Sequence, residues 1–170
     1  MKKLFALTVA SLIIFSTEAQ QLTTPQTSPT TEVKQNFALS SIELSYSRPG
    51  VKGRKIFGDL VPYGKVWRTG ANEATTFEVN KDVMIEGKKL PAGKYALFTI
   101  IHKDGKEVTV IFNKEAEQWG AFKYKAEDDA LRVKTKVTKA SPAAEKLTFK
   151  VNPGSFGFTW GDKKVEVPAK

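Results

Sequence analysis

The sequence predicts an all-β domain: a single antiparallel β-sandwich or flattened barrel of about eight or nine strands, with one long ordered loop and little helix. Three observations predict it. Short segments alternate apolar and polar residues with period 2. Turn signals rich in Gly, Pro, Asn and Asp separate them at short intervals. Only one segment, Glu115–Trp119, reads as a helix, and Gly120 limits it to about two turns.

The elements follow in chain order. Residues 1–19 read as a signal peptide. Lys2 and Lys3 form a basic start, Leu4 to Phe15 an apolar run, and Ala19 the small residue before a cut at Gln20. A membrane helix is the competing reading, but the run is short for a bilayer and no basic cluster follows it. No Cys follows it either, which excludes a lipoprotein anchor. Residues 20–28, rich in Thr, Gln and Pro, form a flexible lead-in, and 29–170 a single β domain. A weak strand is expected around Thr31–Asn36. Ile42, Leu44 and Tyr46 alternate with Glu43, Ser45 and Ser47 as a half-buried strand.

After a long irregular segment, strands are expected at Thr75–Val79 and Val83–Glu86, with turns at Glu86-Gly87-Lys88 and Leu90-Pro91-Ala92-Gly93. Lys94–Ile101 is apolar on both faces and therefore central. Asp104-Gly105 turns it into Glu107–Asn113. Further strands are expected at Ala130–Thr138, Lys146–Val151, Ser155–Trp160 and Lys163–Val167, with Gly161-Asp162 as the last hairpin turn.

Composition narrows the function. The 170 residues carry a net charge of +9, no Cys and one His. Loss of the leader removes two lysines and one glutamate and leaves +8. A thiol nucleophile and a redox dithiol are excluded, a zinc site is not expected, and no cofactor is called for. A basic chain can meet nucleic acid, but the export signal and the lack of any nucleic-acid motif argue for an anionic small molecule or an envelope glycan instead.

The segment 47–75 is where the work is expected. It holds three of the four arginines, five of the twelve glycines and Trp67, with net charge +4. Neither β nor helical period runs through it, yet Ile56, Phe57, Leu60, Val61 and Val66 argue for order. Arg48, Arg54 and Arg68 offer planar forks for a carboxylate or phosphate. Trp67 and Tyr63 offer stacking faces, and Asn72 and Glu73 orienting hydrogen bonds. The competing reading is structural: Arg68 paired with Glu73, Arg48 or Arg54 with Asp59, and Trp67 plugging the end of the sandwich. Glu73 and Asp59 are also a carboxylate pair that a hydrolase of envelope polymers could use.

Other motifs carry less. The spacing of Gly50, Gly53 and Gly58 matches no phosphate loop. His102 reads as a turn residue, Ser155 fits no nucleophile elbow, and Glu127-Asp128-Asp129 lacks calcium-loop spacing.

One stretch identifies a relative: Tyr46-Ser47-Arg48-Pro49-Gly50-Val51-Lys52-Gly53-Arg54-Lys55-Ile56-Phe57-Gly58, then Leu60-Val61-Pro62-Tyr63-Gly64 and Val66-Trp67-Arg68-Thr69-Gly70-Ala71-Asn72-Glu73-Ala74-Thr75. With Leu90–Ile100, Val110–Asn113 and Trp119-Gly120, it closely resembles an exported bacterial family known as domain of unknown function 2911. The resemblance implies export and a family signature in the loop, but no activity; His102 lies outside its motifs. The expectation is therefore an exported protein, periplasmic or secreted. It would be a non-catalytic binding or structural module of the envelope, with a hydrolase as the alternative.

Overall fold

The computed structural model describes residues 26–37 and 40–170. The expected signal peptide (1–19) and most of the expected lead-in (20–28) lie outside the described residues. Among those described there is no α-helix, and none long and apolar enough to cross a membrane.

Nine strands form: β1 (Thr30–Phe37), β2 (Ser40–Ser47), β3 (Thr75–Val79), β4 (Val83–Ile85), β5 (Lys88–Leu90), β6 (Gly93–Ile101), β7 (Glu107–Asn113), β8 (Asp129–Asn152) and β9 (Ser155–Pro168). Seven make one antiparallel sheet in the order β1-β2-β3-β6-β7-β8-β9, and β4-β5 form a separate hairpin. The sheet curls until β8 returns to the chain just beyond β2. There Gly50 bridges Lys146, Val51 N–H donates to Glu145 O at 2.7 Å, and Leu147 N–H donates to Pro49 O at 3.0 Å. Tyr46 crosses the interior at the same place, its hydroxyl accepting from Phe149 N–H at 3.1 Å.

The period-2 pattern places the core. Ile42, Leu44 and Tyr46 of β2, Phe77 and Val79 of β3, and Leu97 of β6 point inward. So do Val108, Val110 and Phe112 of β7. Phe77 sits fully buried between Phe112 at 5.0 Å and Phe156 at 4.8 Å. Covering such a ring contributes about 1.5–3 kcal/mol. β6 is buried on both faces, as its sequence requires. Its outward Ala96 and Phe98 join Ile111 and Ala74 in a smaller second core.

Four expectations are corrected. Ala130–Thr138 and Lys146–Val151 are halves of one bent strand, β8, with register shifts between Lys139 and Thr148. Ser155–Trp160 and Lys163–Val167 likewise merge into β9; Gly161, at φ 57°, is a bend opposite Ala144, not a hairpin turn. The hairpin turn is Pro153-Gly154, between paired Asn152 and Ser155. The helix at Glu115–Trp119 does not form. Gln118 O instead accepts from Ala74 N–H at 2.8 Å, and Gly120 N–H donates to Asn72 O at 3.1 Å. The only helical turn among the described residues is the 3₁₀ segment Ala126–Asp128. Lys88 and Leu90, expected as the ends of two turns, instead belong to β5, which pairs with β4 across Glu86 and Gly87, both at positive φ, the two-residue hairpin geometry.

The bend of β9 depends on Gly157. A Cβ there would sit 2.0 Å from Val165 O, because the strand's first half crosses closely over its second. Ser155 Oγ donates to Glu166 Oε1 at 2.8 Å across the same crossing. Gly157→Ala should therefore cost about 3 kcal/mol by forced backbone displacement. That lowers the thermal midpoint by roughly 6–12 °C. Calorimetry of the purified variant checks it.

Candidate functional site

The segment 47–75 is ordered by pairing with the sheet it interrupts. Gly64 N–H donates to Ile101 O at 2.8 Å, and Trp67 and Thr99 exchange both backbone bonds at 2.8 and 2.9 Å. The segment thus continues along β6 the ladder that β3 begins. Strand alternation then sends Trp67 inward and its neighbours Val66 and Arg68 outward.

The candidate residues do not meet at one point. Trp67 is 9% exposed and stacks on Trp160 at 5.6 Å, with Phe158 and Phe57 edge-on around it. Its indole N–H donates to Gly70 O at 3.1 Å. No ring face is left for a ligand, and the plug reading describes this residue. Tyr63 is half-buried over Gly58, whose Cβ would lie 2.7 Å from the ring. Arg48 donates to Leu147 O at 3.0 Å and Thr148 Oγ1 at 2.9 Å. Arg54 donates to Gly50 O at 2.6 Å and Val51 O at 3.1 Å. Both arginines thus satisfy carbonyls of the loop and of β8. Neither pairs with Asp59, which is exposed on the Lys55–Val61 turn.

Arg68 differs. Among the described residues its Nε is buried without a hydrogen-bond partner and it forms no salt bridge. Burial pushes its guanidinium below the usual arginine range. It lies beside Gly120, whose Cβ position is 3.8 Å from Arg68 Nη1. The expected Arg68–Glu73 pair is absent.

Glu73 leads to a surface that single-sequence reasoning missed. Asn72, at φ 57°, turns the chain, with its side chain on Ser47 Oγ at 3.3 Å and Ser28 O at 3.4 Å. Glu73 then forms an antiparallel bridge with Trp119, which sets the two side chains next to each other. They stand at the wall of an open groove of about 590 Å³. Its floor is the outer face of β1, β2 and β3, carrying Thr30, Glu32, Glu43, Ser45, Thr76 and Glu78. Trp119 is 62% exposed, so most of its indole faces solvent.

Cross-strand register assembles the floor. Lys34, Glu43, Glu78 and Lys94 lie opposite one another in a row across four strands. Lys34 Nζ holds Glu43 Oε2 at 2.9 Å, and that hydrogen bond and charge raise the Lys34 pKa. Lys94 reaches Glu117 at 3.4 Å on the far wall. Glu43 and Glu78 are like charges directly opposite, a destabilising pair in a sheet, and Lys34 and Lys94 flank them in the same row.

The wall at 115–119 is fixed from below. Asn113 Oδ1 accepts from Glu115 N–H at 3.1 Å and Gln118 Nε2 at 3.2 Å. Its Nδ2 donates to Lys125 O and Asp129 Oδ1, both at 2.9 Å. Asp129 in turn binds Tyr124 Oη at 2.7 Å and Arg132. Trp119 is therefore held exposed by an anchored loop. Among the described residues no cluster of His, Asp or Glu has metal-binding geometry.

Residues 28–169 match the model of the protein family of unknown function DUF2911, and the chain is a member of it. No curated protein and no solved structure matches the chain.

Three stability predictions separate scaffold from surface. Trp67→Ala should cost about 3–5 kcal/mol, the loss for a buried aromatic. Trp119→Ala should stay within about 0.5 kcal/mol. Arg68→Met should leave the thermal midpoint unchanged or raise it, since it removes a partly buried cation with no partner. Thermal melts of the three variants check them.

Proposed function

We propose that this protein is an exported, non-catalytic binding module of the bacterial envelope that takes a glycan in the groove between β1–β3 and Glu117–Trp119. The observation that carries the proposal is the exposed Trp119 indole, held rigidly above a floor of hydroxyls and carboxylates. A sugar ring offers an apolar face to an aromatic plane and hydroxyls to acceptors around it. Ser45, Thr76, Glu73 and Glu78 supply such acceptors along the groove.

Of the two ligand chemistries expected from the sequence, the carboxylate-rich floor favours a glycan over a small anion. Arg48 and Arg54 are spent on backbone carbonyls. The hydrolase alternative would require Glu73 and Asp59 in one cleft. Glu73 lines the groove; Asp59 is not among its lining residues. Export places the expected ligand in the periplasm or outside the cell, where peptidoglycan and surface polysaccharides are found.

Affinity electrophoresis against soluble neutral and amino-bearing polysaccharides, together with pull-down on purified peptidoglycan sacculi, tests the proposal. Wild-type protein should bind at least one of them, and Trp119→Ala should weaken binding about tenfold or more, at least 1.4 kcal/mol. Equal binding by Trp119→Ala, or no binding by the wild type, would overturn it.

A further inference from the structure

The groove is acidic on a basic protein. Five glutamates line it (Glu32, Glu43, Glu73, Glu78 and Glu117) against a single lysine, Lys94. The chain as a whole holds 27 Lys and Arg to 18 Asp and Glu. Lys94 is engaged with Glu117, and Lys34 at the rim with Glu43. Glu32, Glu73 and Glu78 are left with no Lys or Arg within salt-bridge distance among the described residues.

A second, independent observation has the same polarity. Gln118 is 5% exposed and lies in the groove's lining. Both donor hydrogens of its Nε2 are spent, on Glu115 O at 2.7 Å and Asn113 Oδ1 at 3.2 Å. Its Oε1 has no partner among the described residues. A buried amide oxygen without a donor costs free energy, and it adds one more unmatched acceptor to the groove's wall. The groove therefore has an excess of acceptors and a deficit of donors. A neutral glycan, whose hydroxyls both donate and accept, would leave that excess unmatched. A ligand with ammonium groups would match it.

We infer that the glycan recognised by this groove carries free amino groups: a cationic amino-sugar polymer whose rings stack on Trp119 while its ammonium groups meet Glu73, Glu78 and Glu32. The inference rests on the groove being a glycan site and specifies which glycan. Opposite charges across an open groove attract at low salt and are screened as salt rises, so the selectivity is salt-dependent. The amine loses its charge as pH rises, so binding weakens towards alkaline pH.

Titration calorimetry with glucosamine oligomers and N-acetylglucosamine oligomers of matched length tests it. Wild-type protein should bind the free-amine oligomer about tenfold or more tightly than the acetylated one at low salt. The double variant Glu73→Gln, Glu78→Gln should erase that preference, and Trp119→Ala should weaken both ligands. Circular dichroism confirms that the variants are folded; should the double variant not fold, the wild-type comparison alone decides. Equal affinity for the two oligomers would overturn the amino-sugar inference and leave the glycan reading standing. Binding of neither would overturn both. An oligolysine that binds as tightly as the glucosamine oligomer, and that Trp119→Ala does not weaken, would reduce the groove to an acidic patch and overturn the inference as well.

Discussion

Trp67 is the joint on which the architecture depends. Its backbone pairs with Thr99 of β6, and its indole stacks on Trp160 of β9, so one residue fixes the 47–75 segment to both the sheet and the bent ribbon that closes over it. Aromatic pairs of this kind add about 0.5–1.5 kcal/mol beyond the area they bury. The stack carries a cost: Trp160 Nε1 is buried with no acceptor among the described residues, whereas Trp67 finds Gly70 O. With Trp67 facing inward, the chain beyond it emerges on the outer face. Asn72, Glu73 and Ala74 then meet Gln118, Trp119 and Gly120 there.

That backbone pairing links the interior to the groove. The same contact that stops 115–119 from forming a helix turns Trp119 out to solvent beside Glu73. Asn113 and Asp129 hold the loop from beneath through side-chain bonds to Glu115, Gln118, Lys125 and Tyr124. A rigid, exposed indole loses little conformational entropy when it contacts a ligand, which is the physical basis for treating it as a binding element. The positively charged loop thus acts largely as scaffold, and its last residues deliver the wall of an acidic groove.

Much of the fold was legible in the sequence. β3 and β7 coincide with the period-2 segments, and the two-faced apolar run at Lys94–Ile101 is the central strand. The order of the 47–75 segment followed from its large apolar residues. The errors have local causes. A glycine beside an Asp reads as a turn at Gly161-Asp162, yet there it serves a bend, because β8 continues opposite it. A short polar-apolar run before Gly120 reads as a helix, yet its backbone groups are claimed by residues more than forty positions earlier. The identity of this chain as a member of its family was legible from the Arg-Pro-Gly to Asn-Glu block, and the family model confirms it.

The sequence by itself determined the all-β class, the strand faces, the family and the importance of the segment around Trp67, because each is written in local pattern or in one contiguous block. Only the tertiary structure decided where chemistry is displayed. Glu32, Glu43 and Glu78 are unremarkable outward residues on separate strands; antiparallel register sets them side by side. Trp67 and Trp119 are the same residue type in one chain, and long-range pairing alone buries the first and exposes the second. Side-chain periodicity fixes which way a residue points along its own strand, whereas register and curl fix what it points at.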